Sequence, residues 1–193
     1  MLEIIVFFGM IASGKSTLAS RFASHHDMLY LNTDRVRKEL AGMAATERRP
    51  DEVGKGIYTA EFTRRTYETM LARATESLAG GRGVVLDGSY SRRQDREMVI
   101  RCGEQAGAEV RFIFCTCSDE TVRQRLEIRS RDPQAVSDGR WEIYLHQKES
   151  FERPHELAET QLLVLNTEDD PALLLEKIEA WRDKVAEKNN SRG

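Results

Sequence analysis

Five short runs of hydrophobic residues are spaced along the chain. Several are apolar throughout rather than alternating with polar residues, which is typical of a parallel sheet covered on both faces. The runs span residues 4–8, 29–31, 84–86, 110–115 and 162–165. We interpret all five as buried strands.

Segments typical of helices lie between these runs, so that strands and helices alternate. The predicted helices span residues 15–24, 35–40, 57–78, 92–105, 120–129, 141–151 and 172–186. Helix breakers fall where this alternation needs them, such as Gly107 before the fourth run and Pro171 at the first turn of the last helix. The pattern predicts an α/β fold with a central parallel sheet, in a single domain over residues 1–193.

Composition and charge exclude only a few functional classes. Hydrophobic residues make up 40% and charged residues 32% of the chain, as in ordinary globular proteins. The formal net charge of -3 argues against a surface built to hold polyanions, so nucleic acid is not favoured and would bind only locally. No hydrophobic run is long enough to span a membrane, and the three cysteines lack metal-ligand spacing. We therefore expect a cytoplasmic protein with reduced thiols and no membrane association.

Residues 9–17 match the pattern G-x-x-x-x-G-K-[ST] and join the first predicted strand to the first predicted helix. Such a loop turns tightly at its glycines and points backbone N–H groups at phosphates, aided by the dipole of the following helix. The lysine adds a positive charge near the β- and γ-phosphates. We expect ATP to be bound by Gly9, Ala12, Ser13, Gly14, Lys15, Ser16 and Thr17.

Asp34 follows the second predicted strand, at the edge of the sheet where ligands bind in open α/β folds. Transfer of a phosphoryl group to an alcohol needs an acceptor for the hydroxyl proton, and a carboxylate can serve. We interpret Asp34 as the catalytic base, with helix capping by Thr33 or Asp34 as the alternative. Arg37, one helical turn later, is a candidate ligand for substrate or phosphate.

Asp87 ends the third predicted strand and is the second candidate carboxylate. A carboxylate at that position can orient Mg²⁺ or its water shell beside the hydroxyl of Ser16. We therefore predict that Ser16 and Asp87 form the metal site. The alternative is that Asp87 only caps a loop.

Arginines cluster before an irregular stretch at residues 130–140. Arg125 and Arg129 are four residues apart, so they project from one face of the predicted helix. They are suited to neutralising charge on the transferred phosphoryl group. We predict an arginine-bearing lid at about residues 125–140, with a solvated basic helix face as the alternative.

Together these motifs resemble the small P-loop kinases of the "predicted kinase" type, which are related to polynucleotide, adenylylsulfate and gluconate kinases and to zeta toxins. The resemblance implies a three-layer α/β/α P-loop NTPase fold with strand order 2-3-1-4-5. It also implies the roles of base, substrate-phosphate ligand and lid arginine for Asp34, Arg37, and Arg125 or Arg129. The adenine base is then expected near the loop after the fifth strand, around Asn166 and Thr167.

The leading hypothesis is a kinase that transfers the γ-phosphate of Mg·ATP to a hydroxyl of a small-molecule or nucleotide-like acceptor. A polynucleotide 5′-hydroxyl kinase is a more specific alternative. An ATP-dependent switch or regulatory binding protein is an alternative from another class. The sequence is compatible with a monomer or a homodimer.

Overall fold

The computed structural model describes residues 2–47, 56–132, 136 and 140–190. One parallel sheet contains five strands in the order β2-β3-β1-β4-β5, which confirms the predicted order. The strands are β1 (Glu3–Phe8), β2 (Leu29–Asn32), β3 (Val84–Gly88), β4 (Glu109–Thr116) and β5 (Leu162–Asn166). Each strand contains one of the predicted hydrophobic runs.

Helices connect the strands and continue after the last one. They are α1 (Lys15–His25), α2 (Thr33–Leu40), α3 (Ala60–Ala79), α4 (Arg93–Ala106), α5 (Asp119–Ser130), α6 (Trp141–Ser150) and α7 (Pro171–Asn190). The prediction of one continuous helix over residues 57–78 was wrong. A 3₁₀ turn (Gly56–Tyr58) comes first, and α3 starts after Thr59, whose side chain accepts a hydrogen bond from the Phe62 amide.

Hydrophobic side chains fill both faces of the sheet. Alternate residues of β1 point to opposite faces, and all of them from Ile4 to Phe8 are fully buried. Ile4 packs among residues of α2, α3 and α4, whereas Ile5 packs among residues of α1 and α7. This arrangement confirms the three-layer α/β/α fold and explains why the strands are apolar on both sides. No helix in the described ranges is both long and apolar enough to cross a membrane.

Helices α5 and α6 form a separate unit over the loop that follows β1. Their buried side chains Val122, Leu126 and Tyr144 pack against Ile11 and Ala12 of that loop. The Tyr144 hydroxyl also donates a hydrogen bond of 2.6 Å to Asp119, at the start of α5. The two helices therefore lie near the carboxyl ends of the strands. Residues 133–135 and 137–139 of the predicted lid lie outside the described residues.

Candidate active site

The loop after β1 needs unusual backbone conformations at its two motif glycines. Gly9 has φ 141° and Gly14 has φ 82°, values that favour glycine. A Cβ atom at Gly9 would also approach the carbonyl oxygen of Cys115 to 2.4 Å. Gly9 is therefore required both by the turn and by close packing against β4, whereas Gly14 is required by its backbone conformation and by the nearby side chain of Thr167.

Side chains of α5 and of the loop after β5 donate hydrogen bonds to carbonyl groups of this loop. Arg125 Nη1 donates to the carbonyl oxygen of Ala12 at 3.2 Å, and Thr167 Oγ1 donates to that of Ser13 at 2.7 Å. Helix α1 begins at Lys15, so its first amides have no carbonyl partner within the helix. These free amides are suited to bind an anion, which is the role that the motif predicts.

A cavity of about 580 Å³ opens beside the loop. It brings together residues that the sequence placed in four separate motifs: Lys15, Ser16, Thr17, Asp34, Arg37, Asp87 and Arg129. The Lys15 ammonium group lies over the loop and donates to the carbonyl oxygen of Met10 at 3.3 Å. One cavity therefore contains groups that can bind phosphate, groups that can bind a cation and a carboxylate that can accept a proton.

Asp34 lies in the first turn of α2 and is paired with Arg37. Arg37 Nη1 donates to Asp34 Oδ1 at 3.0 Å. The Arg37 side chain is 8% exposed and that of Asp34 is 28% exposed. Neither Thr33 nor Asp34 is the helix cap, because the side chain of Asn32 accepts the hydrogen bond from the Arg35 amide. The carboxylate of Asp34 is therefore available for a role in the cavity.

Arg37 is buried against the ring of Tyr58, with its guanidinium carbon 5.0 Å from the ring centre. Its Nε atom is buried and has no hydrogen-bond partner among the described residues. Such an atom is costly unless a ligand binds to the guanidinium group or a water molecule reaches it. Arg37 is thus suited to bind an anionic group in the cavity.

Asp87 is fully buried at the end of β3. Its Oδ2 atom accepts hydrogen bonds of 2.6 Å from the Tyr30 hydroxyl and from Asn32 Nδ2. Burial, together with the nearby Asp87 charge, raises the pKa of Tyr30, so this hydroxyl remains a donor. Asp87 Oδ1 is buried without a partner in the described part of the chain. This atom and the Ser16 hydroxyl fit the oxygen ligands that Mg²⁺ prefers.

A second cavity of about 360 Å³ lies on the other side of the loop, between α5 and the start of α7. Arg125, Arg129 and Thr167 are among its lining residues. Arg125 Nη2 donates to the carbonyl oxygen of Thr167 at 2.6 Å, so this arginine connects α5 to the loop after β5. Asn166 is exposed and hydrogen-bonded to Glu168, so Thr167, rather than Asn166, reaches this cavity.

Arg129 lines both cavities and therefore lies between the two regions that they define. Burial lowers the pKa of its guanidinium group, and the charges of Asp34 and Asp87 partly oppose this effect. Arg129 is half-buried between the two cavities, so its cation is well placed to contact a phosphate chain that runs from one to the other.

Three residues with roles in this geometry were not assigned from the sequence. Tyr30 and Asn32 bind Asp87, and Gln147 of α6 accepts a hydrogen bond of 2.7 Å from the Ile11 amide. The alternation of Tyr30 and Asn32 with leucines in β2 was a usable signal, because it places both on one face of the strand. Gln147 carried no such signal, since 136 residues separate it from Ile11.

A family model described as AAA domain (AAA_33) matches residues 4–154 of the chain. Two solved structures share its fold along almost their whole length. A sugar kinase from Janibacter sp. HTCC2649 has a TM-score of 0.70 and 18% identity, covering 95% of each chain. A gluconokinase from Sinorhizobium meliloti 1021 has a TM-score of 0.65 and 18% identity, covering 99% of this chain and 97% of its own. These similarities show the fold.

Among curated proteins, the chain is similar to the uncharacterized protein Rv2004c of Mycobacterium tuberculosis. The two are 25% identical over 122 residues, which is 63% of this chain. The matched region covers 24% of that relative, so the similarity concerns about a quarter of a longer protein.

Proposed function

Because the chain belongs to the AAA_33 family of AAA domains, we propose that it is a kinase that transfers the γ-phosphate of Mg·ATP to a hydroxyl group of a small acceptor. One observation carries the proposal. Lys15 of the phosphate-binding loop, the carboxylates Asp34 and Asp87, and Arg37 all line a single cavity of about 580 Å³. Transfer to a hydroxyl acceptor needs a group that takes up the hydroxyl proton, and Asp34 can serve as that group.

The two cavities suggest how ATP binds. The smaller one, between α5 and Thr167, would hold the nucleoside, and the phosphates would follow the loop past Arg129 into the larger one. Ser16 and Asp87 would hold Mg²⁺, which neutralises charge on the β- and γ-phosphates when it is bound. Lys15 and the first amides of α1 would bind the same phosphates.

Asp34 would act as the base in the transfer. Its Oδ1 atom is held by Arg37, whereas Oδ2 has no hydrogen-bond partner among the described residues and would accept the proton of the acceptor hydroxyl. The acceptor oxygen attacks the γ-phosphorus, the bond from this atom to the β–γ bridging oxygen breaks, and ADP leaves. Arg129 would balance the charge on the transferred group.

The acceptor is proposed to be a small hydroxylated molecule with an acidic group. Arg37 supports the acidic group, because its buried guanidinium has unused hydrogen-bonding capacity. The names of the two structural neighbours, a sugar kinase and a gluconokinase, support a small polyhydroxylated acceptor. Cavities of this size commonly bind small molecules.

The test is ATP consumption by the purified protein with Mg²⁺ and a panel of acceptors. The panel contains sugars, sugar acids, nucleosides, adenylylsulfate, aminoglycosides, and DNA or RNA with 5′-hydroxyl ends. We expect a sugar acid or a similar small acid to stimulate turnover. Stimulation by 5′-hydroxyl ends alone would instead identify a polynucleotide kinase.

Asp34→Asn provides the matched variant for this experiment. We expect unchanged ATP affinity and at least about a 10²-fold slower transfer, because the amide cannot take up the hydroxyl proton. Wild-type turnover in this variant would remove Asp34 from the mechanism. Tight ATP binding with no stimulation by any acceptor would contradict the kinase proposal and favour a nucleotide-dependent switch.

A further inference from the structure

The carboxylate of Asp87 is held asymmetrically. Its Oδ2 atom accepts two hydrogen bonds of 2.6 Å, whereas Oδ1 has none within the described ranges, although the residue is fully buried. A buried carboxylate is costly unless both oxygens are satisfied. The arrangement fixes the orientation of the group and leaves one oxygen to bind a cation.

The donors to Asp87 come from the neighbouring strand. Asn32 is the direct register partner of Asp87 in the parallel pair of β2 and β3. Tyr30 lies two residues earlier in β2, so its side chain points to the same face of the sheet. Both donors are therefore placed by strand pairing, which makes the orientation of Asp87 a property of the rigid sheet.

Asn32 has a second role at the start of α2. Its Oδ1 atom accepts the hydrogen bond of 3.0 Å from the Arg35 amide that caps the helix, while its Nδ2 atom binds Asp87. Thr33 Oγ1 adds a hydrogen bond of 2.8 Å to the main-chain carbonyl oxygen of Asp87. Consecutive residues thus connect Asp87 to the helix that carries Asp34.

Building on the proposed Mg·ATP site, we propose that Tyr30 and Asn32 are positioning residues for the divalent cation. They hold Asp87 so that Oδ1 faces the cation, and Asn32 transmits cation binding to α2, which carries the acceptor-site residues Asp34 and Arg37. Groups that orient a metal ligand without contacting the metal commonly contribute 10-fold to 100-fold to metal affinity. The expected effects are therefore on cation binding itself, independently of phosphoryl transfer.

Tyr30→Phe tests the first part, because it removes one hydroxyl and keeps the ring. Mn²⁺ binding is measured by electron paramagnetic resonance in the presence of a non-hydrolysable ATP analogue. We expect about 10-fold to 100-fold weaker Mn²⁺ binding, and unchanged binding of the analogue in EDTA. Tyr144→Phe is the matched control, because it removes a hydroxyl that donates to a different carboxylate, Asp119, also at 2.6 Å.

Wild-type Mn²⁺ affinity in Tyr30→Phe would overturn the positioning role and leave the kinase proposal intact. Failure of the wild-type protein to bind Mn²⁺ with the analogue would overturn the cation site and this inference together. An equal loss of affinity in Tyr144→Phe would also overturn the inference, because the effect would then be one of general destabilisation.

Asn32→Ser tests the coupling to α2. Serine keeps a side-chain oxygen for the helix cap but has no group that replaces the Nδ2 donor to Asp87. We expect Mn²⁺ with the analogue to slow amide hydrogen exchange in residues 36–40 of the wild-type protein and to have little effect on them in Asn32→Ser. Equal slowing in both proteins, at matched occupancy, would show that Asn32 does not transmit cation binding.

Discussion

Ala12 has a left-handed backbone conformation, with φ 59°, in the middle of the phosphate-binding loop. This region is unfavourable for any residue that has a Cβ atom, by about 1–2 kcal/mol. The position is nevertheless well defined, because the carbonyl oxygen of Ala12 accepts a hydrogen bond from Arg125 and its side chain packs with α5. The surrounding contacts therefore hold a strained residue at the junction of the two cavities.

Ala12→Gly should relieve this strain. We expect the free energy of unfolding to rise by about 0.5–1 kcal/mol, since the gain exceeds the entropic cost of glycine in the unfolded chain. Urea denaturation provides the measurement. Ala23→Gly, in the buried face of α1, is a control with the opposite expected sign because it weakens a regular helix. A loss of stability in Ala12→Gly would show that the alanine methyl group is needed for packing.

A long-range hydrogen bond joins helix α6 to the phosphate-binding loop. The Gln147 side chain accepts from the Ile11 amide at 2.7 Å, and both residues line the larger cavity. On the same side of the helix, Tyr144 and Lys148 join α6 to α5, because both contact Asp119. The helix therefore forms a wall of the site that is joined both to the loop and to α5.

Two substitutions of Gln147 should separate its contribution to stability from its effect on ATP binding. Gln147→Met removes the acceptor for the Ile11 amide and should lower the free energy of unfolding by about 1–2 kcal/mol. Gln147→Glu keeps an acceptor and the stability but should weaken ATP binding about tenfold, because it adds a negative charge near the phosphates. Urea denaturation and calorimetric titration measure the two effects.

Gln124→Met is the matched control, since Gln124 is exposed on α5 and, within the described ranges, its side chain bonds only to Glu120. It should change neither the free energy of unfolding nor the affinity for ATP. Wild-type stability in Gln147→Met would mean that the hydrogen bond to Ile11 does not hold α6 in place.

The loop after β5 is joined to the start of α5 through Glu168. Its carboxylate accepts hydrogen bonds from the Ser118 hydroxyl and amide at 2.5 and 3.0 Å, and from the Thr121 hydroxyl at 2.5 Å. These hydrogen bonds, that of the Ser118 hydroxyl most of all, lower the pKa of Glu168 from the usual 4.5 to about 2. They connect the two elements that border the smaller cavity.

This pKa predicts how stability changes with pH. The folded protein holds the Glu168 proton less tightly than the unfolded chain, so its contribution is fully present above pH 4.5 and is lost as pH falls towards 2. In thermal unfolding, Glu168→Gln should therefore show a shallower decrease in Tm than the wild type between these values. Glu159→Gln, at an exposed residue outside this network, should keep the wild-type slope. Parallel curves for Glu168→Gln and the wild type would contradict the assignment.

Much of the fold could be predicted because hydrophobic runs define buried parallel strands without reference to tertiary contacts. The phosphate loop, Asp34 and Asp87 could be placed for a related reason, since parallel strands end at one edge of the sheet. The residue that caps each helix was harder to predict. Asn32 and Thr59 set where α2 and α3 begin, because each accepts a hydrogen bond from an amide of the first turn.

Contacts that depend on how distant elements pack could not be inferred. Gln147 reaches the loop only because α6 packs against it, and nothing in the local sequence specifies that approach. Likewise, Thr167 rather than Asn166 faces the smaller cavity because its amide extends the pairing with β4 by donating to the carbonyl oxygen of Thr116. The assignment of catalytic roles stays a prediction, to be decided by the variants proposed above.

The proposed nucleotide site contacts elements from most of the molecule, including α1, α2, α5 and the loop after β5. A ligand bound there should therefore stabilise the whole fold rather than one segment. At a concentration about 100 times its Kd, ATP with Mg²⁺ should add about 2.7 kcal/mol to the stability of the folded state. For a chain of 193 residues this corresponds to a rise in Tm of roughly 5–11 °C.

Lys15→Ala should abolish most of this rise when Tm is measured at the same ATP concentration, because the ammonium group is proposed to bind the β- and γ-phosphates. Lys177→Ala is the matched control, since Lys177 pairs with Asp169 on the surface and does not line either cavity. It should retain the full rise. A full rise in Lys15→Ala would place the nucleotide elsewhere on the molecule, and the proposed roles of Asp34, Asp87 and Arg129 would then lose their basis.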